Sequence, residues 1–147
     1  MLALDQAIKT RWNALSLTSG IPGGIWDSQI PEATWTANNQ PMYCSFENVT
    51  DSKFRQTQSS RYQRMQVKFT VWGTDKVSVA TACETIQDSF NNSNRANTSQ
   101  LAVPQPDGIV SFMLTTPYTM AQISDTVWSG SQIFTATVRR QPELNPA

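Results

Sequence analysis

From Arg64 to Val71 the chain alternates polar and apolar residues without a fault. Arg64, Gln66, Lys68 and Thr70 fall on one side, and Met65, Val67, Phe69 and Val71 on the other. Side chains of an extended strand point to opposite faces in turn, so this segment buries one face and leaves the other to solvent or to a partner. It predicts the central strand of a sheet that is covered on one side. A second alternation precedes it, with Met42, Cys44 and Phe46 sharing a face opposite Tyr43, Ser45 and Glu47.

Two amphipathic helices accompany these strands. In residues 2–17, Leu4, Ile8, Trp12 and Leu15 recur at helical spacing with Ala7 and Ala14 beside them. Asp5 stands in the first turn, where the helix dipole favours an anion, and four residues before Lys9. The helix is expected to end near Ser19-Gly20, and Pro22-Gly23-Gly24 then forces a turn. Gly73 breaks the central strand, Thr74 or Asp75 caps a second helix, and Val79, Cys83, Ile86 and Phe90 form its apolar stripe. Asn91-Asn92-Ser93-Asn94 ends it.

The remaining elements are shorter. Ile25–Ile30 reads as a strand stopped by Pro31, Thr36–Gln40 as a polar loop, and residues 48–61 as a polar loop with a charge bias. Residues 91–108 are expected as loop, followed by a strand from Ile109 to Leu114 that closes before Pro117. Residues 119–128 and 131–140 then form a hairpin around Ser129-Gly130. The expected order is α-β-β-β-α-β-β-β. That is an α+β fold, a mostly antiparallel β-sheet packed against two amphipathic helices. A length of 147 residues fits one domain, residues 1–147, with 141–147 as an extended C-terminal tail.

Composition argues against most chemistry. The chain has no histidine, and Cys44 and Cys83 are its two thiols. Nucleophilic hydrolases usually need a base beside the nucleophile, most often histidine. Structural zinc needs imidazoles or clustered thiolates. The carboxylates are scattered singly, Asp107-Gly108 lacks the spaced acidic partners of a calcium loop, and Ile21-Pro22-Gly23-Gly24 lacks the lysine and hydroxyl of a phosphate-binding loop. The expectation is a protein that is not an enzyme and holds no cofactor and no metal.

Charged residues make up 15% of the chain, below the usual quarter, and the net charge is zero. Serine, threonine, asparagine and glutamine fill the gap, which suits surfaces covered by neighbours, and neutrality weakens self-repulsion. No run approaches the length of a membrane span, and the N-terminus lacks the continuous apolar core of a cleaved signal, so a cytosolic product is expected. The N-x-S/T triplets at Asn48, Asn91 and Asn97 then read as accidents of a polar composition, and the two cysteines as buried thiols.

One charge feature stands out. Lys53, Arg55, Arg61, Arg64 and Lys68 occur with no acid between Ser52 and Lys68, and Phe54 and Tyr62 interleave with them. Either this is a solvated hairpin whose long side chains cover apolar surface, or it is a loop facing phosphate or an acidic subunit. Trp35, in a polar loop, is either folded back on the domain or held at an interface.

The layout as a whole resembles a known family. An N-terminal amphipathic helix leads through a glycine turn to Ile25-Trp26-Asp27 and Pro31, and then to Pro41-Met42-Tyr43-Cys44-Ser45-Phe46. After a polar loop, Val67-Lys68-Phe69-Thr70-Val71-Trp72-Gly73 runs into a helix, and Ile133-Phe134-Thr135-Ala136-Thr137-Val138 closes the chain. This order is similar to that of the small tail-completion, or tail-terminator, proteins of tailed bacteriophages. The likeness lies in order and spacing over nearly the whole length.

The resemblance implies a virion protein of the neck, assembled in the host cytoplasm. Its copies form a ring, usually a hexamer, that ends the tail tube and offers a face to the head-completion or connector protein. The ring surrounds double-stranded DNA without reading its sequence, and no membrane is involved. On that reading Lys53, Arg55, Arg61, Arg64 and Lys68 lie at channel or subunit contacts, with Trp35, Phe54 and Tyr62 as interface aromatics. The alternatives are a head-tail connector or head-completion protein, and a monomeric non-enzymatic binding module.

Overall fold

The computed structural model describes residues 2–28, 30, 35–36, 39–56, 61–90 and 108–140. The elements run α1 (Leu2–Ala14), β1 (Ile25–Asp27), β2 (Tyr43–Gln56), β3 (Arg61–Gly73), α2 (Lys76–Phe90), β4 (Gly108–Gln122) and β5 (Trp128–Arg140), with a short 3₁₀ turn at Leu17–Ser19. The strands form one five-stranded sheet in the order β1-β2-β3-β5-β4. The alternating segment is indeed central, since β3 lies between β2 and β5 and is antiparallel to both. The expected α+β class holds, with one addition: β1 pairs with β2 in parallel, so the sheet is mixed.

That parallel pair follows from local turn chemistry. Gly24, at φ 76°, takes a conformation that side chains resist, and its carbonyl accepts the Cys44 N–H at 2.9 Å. Gly23 donates its N–H to the Met42 carbonyl at 2.7 Å, and a Cβ there would lie 2.6 Å from the Tyr43 Cβ. The glycine turn thus lays β1 directly beside the start of β2. The segment between β1 and β2 is long enough for the crossover that parallel neighbours require. β1 is shorter than expected because Ser28 turns out of the strand at φ 70°.

The apolar face of the sheet carries the core. Phe69 is fully buried and its ring centroid lies 6.2 Å from Phe46, 5.1 Å from Phe90, 6.4 Å from Phe112 and 5.3 Å from Phe134. Each such side chain contributes roughly 1.5–3 kcal/mol on burial, and favourable ring geometry adds about 0.5–1.5 kcal/mol per pair. α2 covers this face with Val79, Ala82, Cys83, Ile86 and Phe90, the expected stripe. Asp75 is its cap: its Oδ2 accepts the Ser78 N–H at 3.0 Å and the Ser78 hydroxyl at 2.6 Å. α1 contributes Leu4, Ala7, Ile8 and Trp12, and the Trp12 Nε1 donates to the Thr18 Oγ1 at 2.8 Å. Ser16 turns the chain left-handed at φ 53°, so Leu17 is buried and Leu15, expected on the stripe, is 38% exposed. Both thiols are buried and free, as expected.

Two expectations need correction. Residues 119–128 and 131–140 are not a hairpin around Ser129-Gly130, and two strands rather than three follow α2. β4 runs straight through Pro117, because it is the outermost strand and shifts register between Leu114 and Thr116 and again before Thr119. A proline without an N–H is tolerated at such an irregular edge. The turn lies instead at Ile123–Val127, where the Ile123 N–H donates to the Val127 carbonyl at 2.8 Å. Gly130 serves packing: it lies opposite Val71, and a Cβ there would overlap the Cys83 Sγ. Secondly, the polar stretch 48–61 is largely strand, not loop, since β2 extends to Gln56 and β3 begins at Arg61.

Candidate functional site

The second face of the sheet meets neither helix. Cross-strand register puts Glu47, Arg64, Gln66 and Lys68 on it, together with a carpet of hydroxyls from β3, β4 and β5. Thr70 Oγ1 lies 3.3 Å from Ser131 Oγ, and the Thr135 hydroxyl donates to Thr115 Oγ1 at 3.2 Å. The face is polar because every second residue of the strands is, and a sheet covered on one side needs no more than that.

An aromatic cluster closes one end of this face. Tyr43 and Trp72 are register partners with near-parallel rings 6.4 Å apart, and Trp35 meets Tyr43 edge-on at 5.5 Å. The Trp35 Nε1 donates to the Pro41 carbonyl at 2.8 Å, and the Trp72 Nε1 to the Ser45 Oγ at 3.2 Å. Trp35 is therefore folded back on the domain, half-buried, and lies far along the strands from the basic residues.

The opposite end is where the basic residues gather. The β2–β3 hairpin brings Lys53 opposite Gln63, Gln56 opposite Arg61 and Ser52 opposite Arg64, with Phe54 and Arg55 between Lys53 and Gln56. Lys68 stands apart, further along β3, opposite Glu47 on one side and Ile133 on the other. The same register adds two cations that the sequence reading missed. Arg140 of β5 lies directly opposite Arg61, and Arg139 opposite Tyr62. The available signal was the Arg139-Arg140 pair at the end of the last alternating strand, but the pairing of β3 with β5 spans some seventy residues of chain. Like charges directly across a strand pair destabilise it.

Chemically reactive groups are few. Burial pushes the Cys44 thiol well above its ordinary value, with the Cys83 sulfur adding to it, and pushes Cys83 up to about 12, with Glu84 adding to it. Neither is a thiolate near neutral pH, so neither is an activated nucleophile. Burial likewise raises the Asp5 carboxyl, with Asp27 contributing. Among the described residues no three histidine, cysteine, aspartate or glutamate side chains are grouped to hold a metal ion. No helix among them is long and apolar enough to cross a membrane.

Two hollows flank α1. One, of about 390 Å³, runs between Leu15, Leu17 and Ile21 and the α2 residues Val77, Ala82 and Thr85. The other, of about 350 Å³, holds Lys9, Asn13, Trp26 and Asp27. Both are open grooves, whereas small-molecule sites usually enclose most of their ligand.

No protein-family model matches the chain, and no curated protein does. Solved structures do. A chain from the virion of a native gene transfer agent particle superposes with a TM-score of 0.65 at 11% identity, over 95% of this chain and all of that one. A second solved chain, whose name states no function, matches with a TM-score of 0.52 at 13% identity over 96% of both. At such identities the likeness establishes a shared fold, from end to end of both chains.

Proposed function

We propose that this chain is a structural subunit of a phage-like virion, and that it acts at the neck as a tail terminator. The observation that carries the reading is the end-to-end fold match, 95% of this chain against 100% of its counterpart, with a component of the gene transfer agent virion. A match of that extent leaves no extra domain on either side to supply a separate activity.

The architecture supports assembly. β4 is the outermost strand on one side of the sheet, and on the other β1 covers β2 at Cys44–Phe46 alone. Among the described residues, β2 beyond Phe46 therefore has a long free edge. Free backbone donors and acceptors on two distant edges suit a head-to-tail contact between copies, and head-to-tail contacts close into rings when the rotation permits. The uncovered polar face with Met113 44% exposed adds a broad surface for neighbours above or below. In this reading the ring stops growth of the tail tube, meets the head-completion protein and encircles the DNA, and Trp35, Phe54 and Tyr62 contribute to contacts between subunits.

The deciding experiment is electron microscopy of lysates in which the gene carries an early nonsense codon. Overlong or ragged tails beside unattached, filled heads are expected. Tails of normal length beside emptied heads would move the subunit to the head side of the joint. Normal infectious particles would remove the virion role altogether.

A further inference from the structure

We infer that the end of the sheet formed by β2, β3 and β5 is a sequence-independent contact for the phosphate backbone of duplex DNA, with Arg139 and Arg140 as part of it. The inference rests on the proposed neck role and names what one surface of the subunit meets there.

The starting point is where the charge lies. Lys53, Arg55, Arg61, Arg64, Arg139 and Arg140 are six of the eleven basic residues, and the register brings all of them to one end of three adjacent strands. Asp51 is the acid on these strand ends, and Asp107, outside the described residues, directly precedes β4. The other acids of the described chain sit elsewhere: Asp5 on α1, Asp27 on β1, Glu47 nearer the start of β2, Glu84 and Asp88 on α2, and Asp75 and Asp125 at the far end of the sheet. The zero net charge thus hides a segregated molecule, positive at one sheet end and negative over the rest. Attraction to a polyanion depends on that local field and not on the sum.

The arrangement of the cations favours DNA over an acidic protein surface. By the pleat, Arg64 and Arg139 belong to the uncovered face, and Arg61 and Arg140 to the opposite face, past the buried pair Met65 and Ala136. Protein interfaces keep charge out of their centre. Here the charge occupies both faces of the sheet end, so a uniformly charged, extended partner is the better fit. Thr137 and Thr135 continue the uncovered face beside Arg64, and hydroxyls join arginine and lysine in most phosphate contacts. The direct opposition of Arg61 and Arg140 is repulsive in the free protein and is relieved by an anion between them. The rest of the site offers no donor-acceptor code for bases, so the contact positions without reading sequence.

The test is fluorescence anisotropy of the full chain with two short labelled duplexes of unrelated sequence, over a range of salt concentrations. Equal binding to both is expected, weakening steeply with salt. Each cation that neutralises a phosphate contributes about 0.9 to the slope of log K against log salt, so Arg139→Ser with Arg140→Ser should lower the slope by about 2. Arg139→Lys with Arg140→Lys should restore it, which a purely structural role would not predict. Lys9→Ser with Lys76→Ser, remote from the surface, should leave it unchanged. Absence of binding at low salt, a slope indifferent to the arginine pair, or equal displacement by polyglutamate and by duplex would each overturn the inference. Its failure separates from that of the neck role. Defective tails in the nonsense lysates without duplex binding remove the DNA contact alone. Arginine-dependent duplex binding with normal particles removes the neck role and leaves the contact standing.

Discussion

Gly130 shows how a single residue can be misread from sequence and then explained by packing. Beside Ser129 it resembles a turn, yet it sits within β5 beneath α2, where a Cβ would overlap the Cys83 Sγ and come within 3.1 Å of the Met120 Sδ. Overpacking a filled core typically costs about 1–3 kcal/mol. Gly130→Ala is therefore expected to lower stability in urea denaturation by that order, and Cys83→Ala in the same chain to recover much of it. If the two changes simply add, the clash is not the cause. Cys83 also links stability to pH. Its thiol titrates near 9.0 when exposed and at about 12 in the fold, so between those values the unfolded chain loses a proton that the folded one keeps. Stability is unaffected below pH 9.0 and falls as pH rises toward 12. The melting temperature of Cys83→Ala should fall less steeply over that window than that of the parent.

At the scale of elements, α2 and β3 carry the fold. α2 starts where Asp75 accepts two hydrogen bonds from Ser78, and those bonds hold its carboxyl below the ordinary value of 3.8. A depressed carboxylate stabilises above its unfolded pKa and loses that contribution as pH falls through the folded one. Asp75→Ala should thus melt earlier than the parent at neutral pH, with the gap closing in acid. A gap that persists at low pH would show that the carboxylate is not the cap. β3 differs from β4 in being paired on both sides. Lys68 faces Glu47 and Ile133 across the two ladders, so Lys68→Pro removes a donor from the middle of the sheet and should abolish cooperative unfolding by circular dichroism. Pro117 is already tolerated because β4 has an outer edge. The helices and the central strand were legible from sequence because their periodicity is strong. The end of β4 was not, because a proline and two register shifts erase the alternation that sequence reading depends on.

For the whole molecule, the informative quantity is the separation of folding from assembly. The basic end of the sheet lies beyond the aromatic core around Phe69, so its cations contribute little to the fold. Replacing Arg55, Arg61 and Arg64 with serine is expected to leave the melting temperature nearly unchanged and to impair particle assembly in complementation. Loss of folding in that variant would give these residues a structural role instead. The candidate surface was half visible in sequence: Lys53, Arg55, Arg61 and Arg64 are near neighbours in the chain and fall on one hairpin. Arg139 and Arg140 were invisible because strand order cannot be read from one sequence. Sequence reading also placed Lys68 among them, whereas the register moves it toward mid-sheet opposite Glu47.

The sequence by itself determined the local choices. Alternation made the strands, helical spacing made α1 and α2, and the glycines after Pro22 made the turn, since each depends on interactions within a few residues. The lack of histidine and of clustered thiols was equally plain without coordinates. Tertiary structure decided what depends on distant partners: the strand order β1-β2-β3-β5-β4, the parallel seat of β1, the path of β4 through Pro117 and the fate of Gly130. It also decided that a chain of zero net charge carries its cations at one end. Pairing energy between strands is shared by many residues far apart in the chain, and no local window of sequence contains it.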